Sequence, residues 1–325
     1  MARSPAIEVS ALTKVFDGVT AVDHLSFHVH AGEVFGLLGP NGAGKSTTLR
    51  ILITLVRPTS GSATVAGADV LREPEKVRSR IGYVPQERAI DRFLTGREHL
   101  LLLADLYHLP KVEARRRIAE LLALVDLEHR ADAPAKTYSG GMKRKLDIAC
   151  GLLPNPSVLF MDEPTLGLDV QSRLRIWDYI RRLRDRGITI VMTTNYLDEA
   201  DQLCDRLAII DAGRIKALGS PSELKAGLGG DTLSLSVVPA HEDSLLKLIA
   251  ALKDLSSVRA VNAKPRGCDV RVESSEKALP SVLETANRLG CQLDSIEYRR
   301  PRLDDVFIAY TGHRIREEFP AADQE

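Results

Sequence analysis

Gly39 to Ser46 reads Gly-Pro-Asn-Gly-Ala-Gly-Lys-Ser, with Thr47 next, and residues of these types at this spacing suit the cradling of phosphates. Gly39, Gly42 and Gly44 free the backbone to turn its N–H groups inward around anionic oxygens, with Pro40, Asn41 and Ala43 between them. Lys45 is placed to reach β- and γ-phosphates and Ser46 to bind Mg²⁺, while a helix beginning at Lys45 adds its positive dipole end. The apolar run Val34-Phe35-Gly36-Leu37-Leu38 before the loop reads as a buried strand. A glycine-rich turn that binds nothing is the alternative. It leaves the filled pattern and its strand–loop–helix setting unexplained.

A second run, Val158-Leu159-Phe160-Met161-Asp162-Glu163, is an apolar strand ending in two carboxylates. So uniform a strand is buried on both faces, as in a parallel α/β sheet. Asp162 then contacts Mg²⁺ and Glu163 is free to orient and polarise an attacking water. In isolation the two acids would equally open a turn before Pro164. A third run, Tyr138-Ser139-Gly140-Gly141-Met142-Lys143-Arg144-Lys145-Leu146, sets a serine and two glycines before a helical pattern, another anion-binding helix start. One domain cannot apply both this start and its own phosphate loop to one nucleotide. The chemistry makes sense if a second copy supplies Ser139 and its glycines in trans.

The elements that must position these residues fit into 325 residues, enough for about two domains with a core in each. Acidic and basic residues balance at 44 each, so no global charge points to nucleic acid. Cys150, Cys204, Cys268 and Cys291 lie far apart without metal-ligand spacing and read as incidental thiols of a reducing compartment. The start Met1-Ala2-Arg3-Ser4-Pro5 lacks the apolar core of a signal peptide. No apolar run approaches bilayer length, and Leu100–Leu103 is stopped by Asp105, so the expected protein does not itself span a membrane.

Taken in order, these motifs resemble the ATP-binding subunit of an ABC (ATP-binding cassette) transporter over about residues 7–225. The resemblance implies an α/β P-loop NTPase fold with a helical subdomain at about 88–155, ATP and Mg²⁺ as ligands, a homodimer, and a separate transmembrane permease. It sets Phe16 where an aromatic stacks on adenine. Gln86, in Tyr83-Val84-Pro85-Gln86, falls at the glutamine that links the metal site to the transport partner. Ser139-Gly140-Gly141 is the signature, and Gly167-Leu168-Asp169 the loop that meets the partner subunit. One position departs: where the family usually places a histidine that touches the γ-phosphate, Thr193-Thr194-Asn195-Tyr196 carries Asn195. Asparagine donates a hydrogen bond but carries no proton near neutral pH, so phosphate sensing survives and proton shuttling does not. A cap on the helix starting at Tyr196 is the competing role for Asn195.

Leu94–Leu109 and Lys111–Leu127 read as helices. By the resemblance this subdomain receives the permease, with the docking surface at Arg88–Leu109, although core packing also accounts for leucines there. Arg115-Arg116-Arg117 reads as a solvated helix face rather than a nucleic-acid contact. His24, His28 and His30 share one face of a strand at Val22–His30. Nothing nearby completes a metal site, and Leu25, Phe27 and Val29 turn inward.

After residue 229 the pattern is strand, helix, strand, strand, helix, strand, the order of a ferredoxin-like α+β unit over residues 230–312, with 313–325 a polar tail. Cys268 and Cys291 could meet across neighbouring strands, though a reducing compartment argues against a stable disulfide. Pro301–Gly312 resembles the closing helix of a bacterial exporter subgroup that includes daunorubicin-resistance and sodium-extrusion types, and residues 193–201 lean towards the former. The expected function is an exporter's ATPase subunit driving efflux of a drug-like or hydrophobic molecule. The rivals are soluble ABC-type ATPases of DNA maintenance or translation. The first carries a long coiled coil between its motifs and the second carries tandem cassettes, and this chain has neither.

Overall fold

A computed structural model describes residues 5–87, 89–238 and 242–314. Arg88, at the edge of the expected docking surface, and residues 315–325 of the expected tail lie outside the described residues. The described chain falls into two units, divided between Ser220 and Pro221.

The first unit opens with β1 (Pro5–Phe16), β2 (Val19–His30), β3 (Val34–Leu38) and α1 (Lys45–Leu52). Then come β4 (Ser60–Val65), β5 (Ala68–Asp69), α2 (Pro74–Arg78) and β6 (Ile81–Val84). Three helices follow, α3 (Gly96–Leu106), α4 (Lys111–Leu124) and α5 (Gly140–Leu152). The unit ends with β7 (Val158–Asp162), α6 (Val170–Asp185), β8 (Thr189–Thr194), α7 (Leu197–Leu203), β9 (Arg206–Asp211) and β10 (Arg214–Gly219).

A six-stranded sheet runs β10-β9-β3-β8-β7-β6, parallel except for β10. β3, β7 and β8 are buried along their whole length, as a parallel sheet covered on both faces requires. A second, antiparallel sheet runs β2-β1-β4-β5. One apolar core joins the two sheets: Phe27 of β2 stacks on Phe35 of β3 with ring centroids 5.3 Å apart. Leu25, Phe27 and Val29 do turn inward. On the other face of β2, the rings of His28 and His30 meet edge to face at 4.7 Å.

The helical segment is set by local chemistry. Thr95 and Glu98 close a reciprocal capping box at the start of α3, which satisfies two otherwise orphaned backbone donors. Leu100 of α3 is buried, whereas Leu102 and Leu106 are exposed. Core packing therefore does not account for all the leucines of α3.

The second unit contains α8 (Pro221–Gly227), β11 (Asp231–Val237), α9 (Glu242–Lys253), β12 (Val258–Lys264), β13 (Gly267–Val272), α10 (Ser275–Arg288), β14 (Leu293–Arg299) and α11 (Leu303–Thr311). Its antiparallel sheet runs β12-β13-β11-β14 over a core that includes Leu235, Leu248, Val270 and Val282. This order corrects one expectation. β11 lies between β13 and β14, so Cys268 and Cys291 do not sit on neighbouring strands, and both are free thiols. Burial pushes the Cys268 thiol up to about 11, which keeps it protonated and unreactive. No helix among the described residues is long and apolar enough to cross a membrane.

Candidate functional site

Strand register assembles the site. Leu38 at the end of β3 pairs with Thr194 of β8, and Thr193 pairs with Asp162 of β7. The phosphate loop after β3, the segment after β8 and the two carboxylates after β7 therefore leave the sheet at one edge, side by side. In parallel α/β sheets this carboxyl edge is where ligands bind.

The loop is held by close backbone approaches. Gly44 has φ +100°, and a Cβ there would stand 2.3 Å from the Ala21 carbonyl oxygen. A Cβ on Gly39 would stand 2.2 Å from the Ile210 carbonyl oxygen. Neither position accepts a side chain without moving a strand. Lys45 opens α1 and is buried. Its ammonium donates to the carbonyls of Gly39 and Pro40 at 2.8 and 3.1 Å and lies 3.5 Å from Glu163 Oε1. Burial pushes its pKa below the ordinary lysine value, and the charges of Glu163 and Asp162 oppose that shift.

Ser46 Oγ donates to Asp162 Oδ1 at 2.9 Å, across 116 residues of sequence. Thr193 Oγ1 donates to the same oxygen at 2.5 Å and accepts from the Glu163 N–H at 2.9 Å. Asp162 is fully buried, yet its Oδ2 has no hydrogen-bond partner. An orphaned buried carboxylate oxygen beside a serine hydroxyl is a set of hard donors that fits Mg²⁺. Gln86 Nε2 donates to Glu163 Oε2 at 3.2 Å. Glu163 itself has φ +44°, a left-handed conformation that costs a non-glycine residue about 1–3 kcal/mol and persists only where the surroundings impose it. The loop residues 41–47, with Ala21, Gln86 and Glu163, line a cleft of about 420 Å³.

Other expected residues stand outside that cleft. Phe16 ends β1 half exposed, with the Lys14 ammonium 4.6 Å over its ring. Ser139 caps α5, accepting the Met142 N–H at 3.2 Å, and Gly140 and Gly141 begin the helix. Asp169 caps α6 through the Ser172 N–H at 2.9 Å. None of Phe16, Ser139, Gly140, Gly141 or Asp169 lines the cleft of its own chain.

Asn195 is buried, and its Oδ1 has no partner. It is not the cap of α7. That position is Tyr196, whose N–H is taken by Thr194 Oγ1 at 3.0 Å, and no side chain caps the helix. Thr194 takes only the N–H of Tyr196, and Asn195 Oδ1 accepts from no N–H of the helix.

Arg144 and Glu199, both buried, received no role in the sequence reading. Arg144 aims its guanidinium at four backbone carbonyls around the carboxylate strand. Its signal was an arginine and an aspartate, Asp147, three residues apart on one face of a helix. Glu199 of α7 accepts from Thr165 at 2.7 Å and from Trp177 at 3.1 Å, and burial pushes its pKa up. No local pattern marks that cluster.

Comparison with known proteins bears on the family. The ABC transporter family model matches residues 22–166, and that of the DrrA1-3-like ATP-binding protein C-terminal domain matches residues 219–311. The daunorubicin/doxorubicin resistance ATP-binding protein DrrA of Streptomyces peucetius is 44% identical, covering 98% of this chain and 97% of its own. The linearmycin resistance ATP-binding protein LnrL of Bacillus subtilis is 38% identical over 96% of this chain and all of its own. A dimeric ATP-binding cassette in a post-hydrolysis state, bound to ADP and phosphate, matches with a TM-score of 0.60 at 27% identity, over 66% of this chain and 98% of that one. With its phosphate loop, carboxylate pair and DrrA-like C-terminal region, the chain belongs to the ABC transporter family as one of its ATP-binding, ATP-hydrolysing subunits.

Proposed function

We propose that this chain works as a homodimer on the cytoplasmic face of the membrane, energising efflux of a drug-like or hydrophobic small molecule through a separate permease. The observation that carries the reading is the meeting of Lys45, Ser46, Asp162, Gln86 and Glu163 at one sheet edge. In each site Lys45 and the amides of residues 39–47 hold the phosphates of ATP. Ser46, Gln86 and Asp162 would hold Mg²⁺, which when bound neutralises phosphate charge. Glu163 takes the proton of the attacking water, and Asn195 donates to the γ-phosphate. Ser139, Gly140 and Gly141 of the opposite copy close the site, with Asp169 in the loop between subunits and Phe16 against adenine. That Ser139, Gly140 and Gly141 sit outside their own chain's cleft, at a helix start with no phosphate of its own to meet, supports their use in trans. The second unit, beginning at Pro221 rather than at the expected residue 230, is an accessory, regulatory domain, and the catalytic residues lie in the first.

The test is co-expression with a candidate permease, a membrane protein of about six expected helices from a neighbouring reading frame. The chain should pellet with membranes only when that protein is present, and energy-dependent efflux should vanish in the Glu163→Gln variant. Sedimentation with ribosomes or DNA instead would favour the rival readings.

Asn195 gives a sharper test of the site. Asn195 does not cap α7, and it follows the end of β8, the strand beside the phosphate-loop strand; its amide N–H is the group that donates to the γ-phosphate in this reading. Asn195→Ala should therefore slow hydrolysis about ten- to a hundredfold, the value of a charge-assisted hydrogen bond made in the transition state. The melting temperature should move little. Unchanged turnover with a clearly lowered melting temperature would remove Asn195 from the reaction.

A further inference from the structure

Arg144 is buried one turn into α5, the helix that starts at Ser139-Gly140-Gly141. Its Nε donates to the Pro164 carbonyl at 2.7 Å and Nη1 to the Pro85 carbonyl at 2.6 Å. Nη2 donates to the carbonyls of Asp162 and Glu163 at 3.0 and 3.2 Å. Asp147, one turn further along the same helix and also buried, stands 3.8 Å from Nη1. The rigid, planar guanidinium matches this arrangement as a lysine ammonium could not. One side chain thereby grips three successive residues around Glu163 and the residue that precedes Gln86.

The grip falls where the backbone is strained. Glu163 has φ +44°; its N–H is fixed by Thr193 and its carbonyl by Arg144. Strain of this kind lasts only while the surroundings over-determine it. We infer that Arg144 is a positioning residue for hydrolysis: it holds Glu163 in the left-handed conformation facing Gln86, and it ties that carboxylate to the helix carrying the Ser139 motif. A shift of α5 on engaging the partner's nucleotide is then felt at Glu163 of the same chain, which couples the two sites of the dimer. The inference rests on the proposed role of Glu163 as the group that activates water.

Two variants of the full-length protein test it. Arg144→Lys keeps the charge and loses the fork. Arg144→Met combined with Asp147→Leu removes both charges and leaves neither buried alone. In each, turnover should fall tenfold or more, while equilibrium affinity for an ATP analogue, set by the phosphate loop, stays within about threefold. Adding either change to Glu163→Gln should slow the residual turnover no further, because Arg144 acts only through Glu163. Turnover within twofold of wild type in either folded variant would overturn the inference, as would effects that multiply with Glu163→Gln. Failure of both variants to fold would assign Arg144 to stability alone and overturn it equally. A Glu163→Gln protein with normal turnover would instead sink the reading of Glu163, whereas an inactive one beside fully active Arg144 variants sinks only the present inference.

Discussion

Glu163→Gln is expected to retain ATP affinity while turnover falls by about a hundred- to ten-thousandfold, the range that a positioned general base contributes. The carboxylate is buried, accepts from Gln86 at 3.2 Å and faces the Lys45 ammonium at 3.5 Å. Glutamine matches its size and keeps a carbonyl oxygen for these donors, so the cleft should hold its shape. It cannot take a proton from water. Binding without hydrolysis should trap the closed state, and gel filtration with MgATP should show a dimer that the wild type does not accumulate. Turnover near that of the wild type would show that another group activates water.

Lys45→Met should fail earlier, at binding. The ammonium is buried among the carbonyls of Gly39 and Pro40 and the Glu163 carboxylate, at the end of the phosphate loop. Charge-assisted hydrogen bonds contribute about 1.5–3 kcal/mol each, so losing the contacts to two phosphates should weaken ATP binding about a hundredfold or more. Methionine fills the space of the aliphatic stem, which limits damage to the loop. The cost falls on the two carbonyls and the carboxylate left facing an apolar group. Titration with a fluorescent ATP analogue gives the affinity, and a circular dichroism melt separates it from misfolding. Affinity within threefold of the wild type would move the phosphate contacts away from Lys45.

The contrast between the two variants follows from one geometry. Lys45 belongs to the loop that meets the nucleotide first, and Glu163 to the strand end that matters once the γ-phosphate is in place. The first variant should therefore bind and not turn over, and the second should not bind.

Much of the site was legible because it is local. The phosphate loop, the strand before it and the helix after it occupy consecutive residues, and their conformations follow from glycine freedom, apolar runs and helix-start chemistry. The βαββαβ order of the second unit was equally readable from alternating periods, and β11-α9-β12-β13-α10-β14 follow it. Which strands neighbour one another was decided by tertiary packing. The sheet order β10-β9-β3-β8-β7-β6 brings Ser46 to Asp162 and, across 77 residues, Gln86 to Glu163. In the second unit the same kind of decision placed β11 between β13, which carries Cys268, and β14, which Cys291 precedes. Direction was also withheld from the sequence: Arg144 reads as one of several basic residues after a glycine pair, and only the packed helix turns it onto the carbonyls around Glu163. Asn195 reads as a phosphate contact with a helix cap as the rival, and only the structure shows that its side chain does not cap α7. Dihedral preference and periodicity act between residues a few positions apart, so sequence alone determines them. The pairing of distant strands and the aim of a buried side chain depend on the whole core that closes around them, and these only the tertiary structure decides.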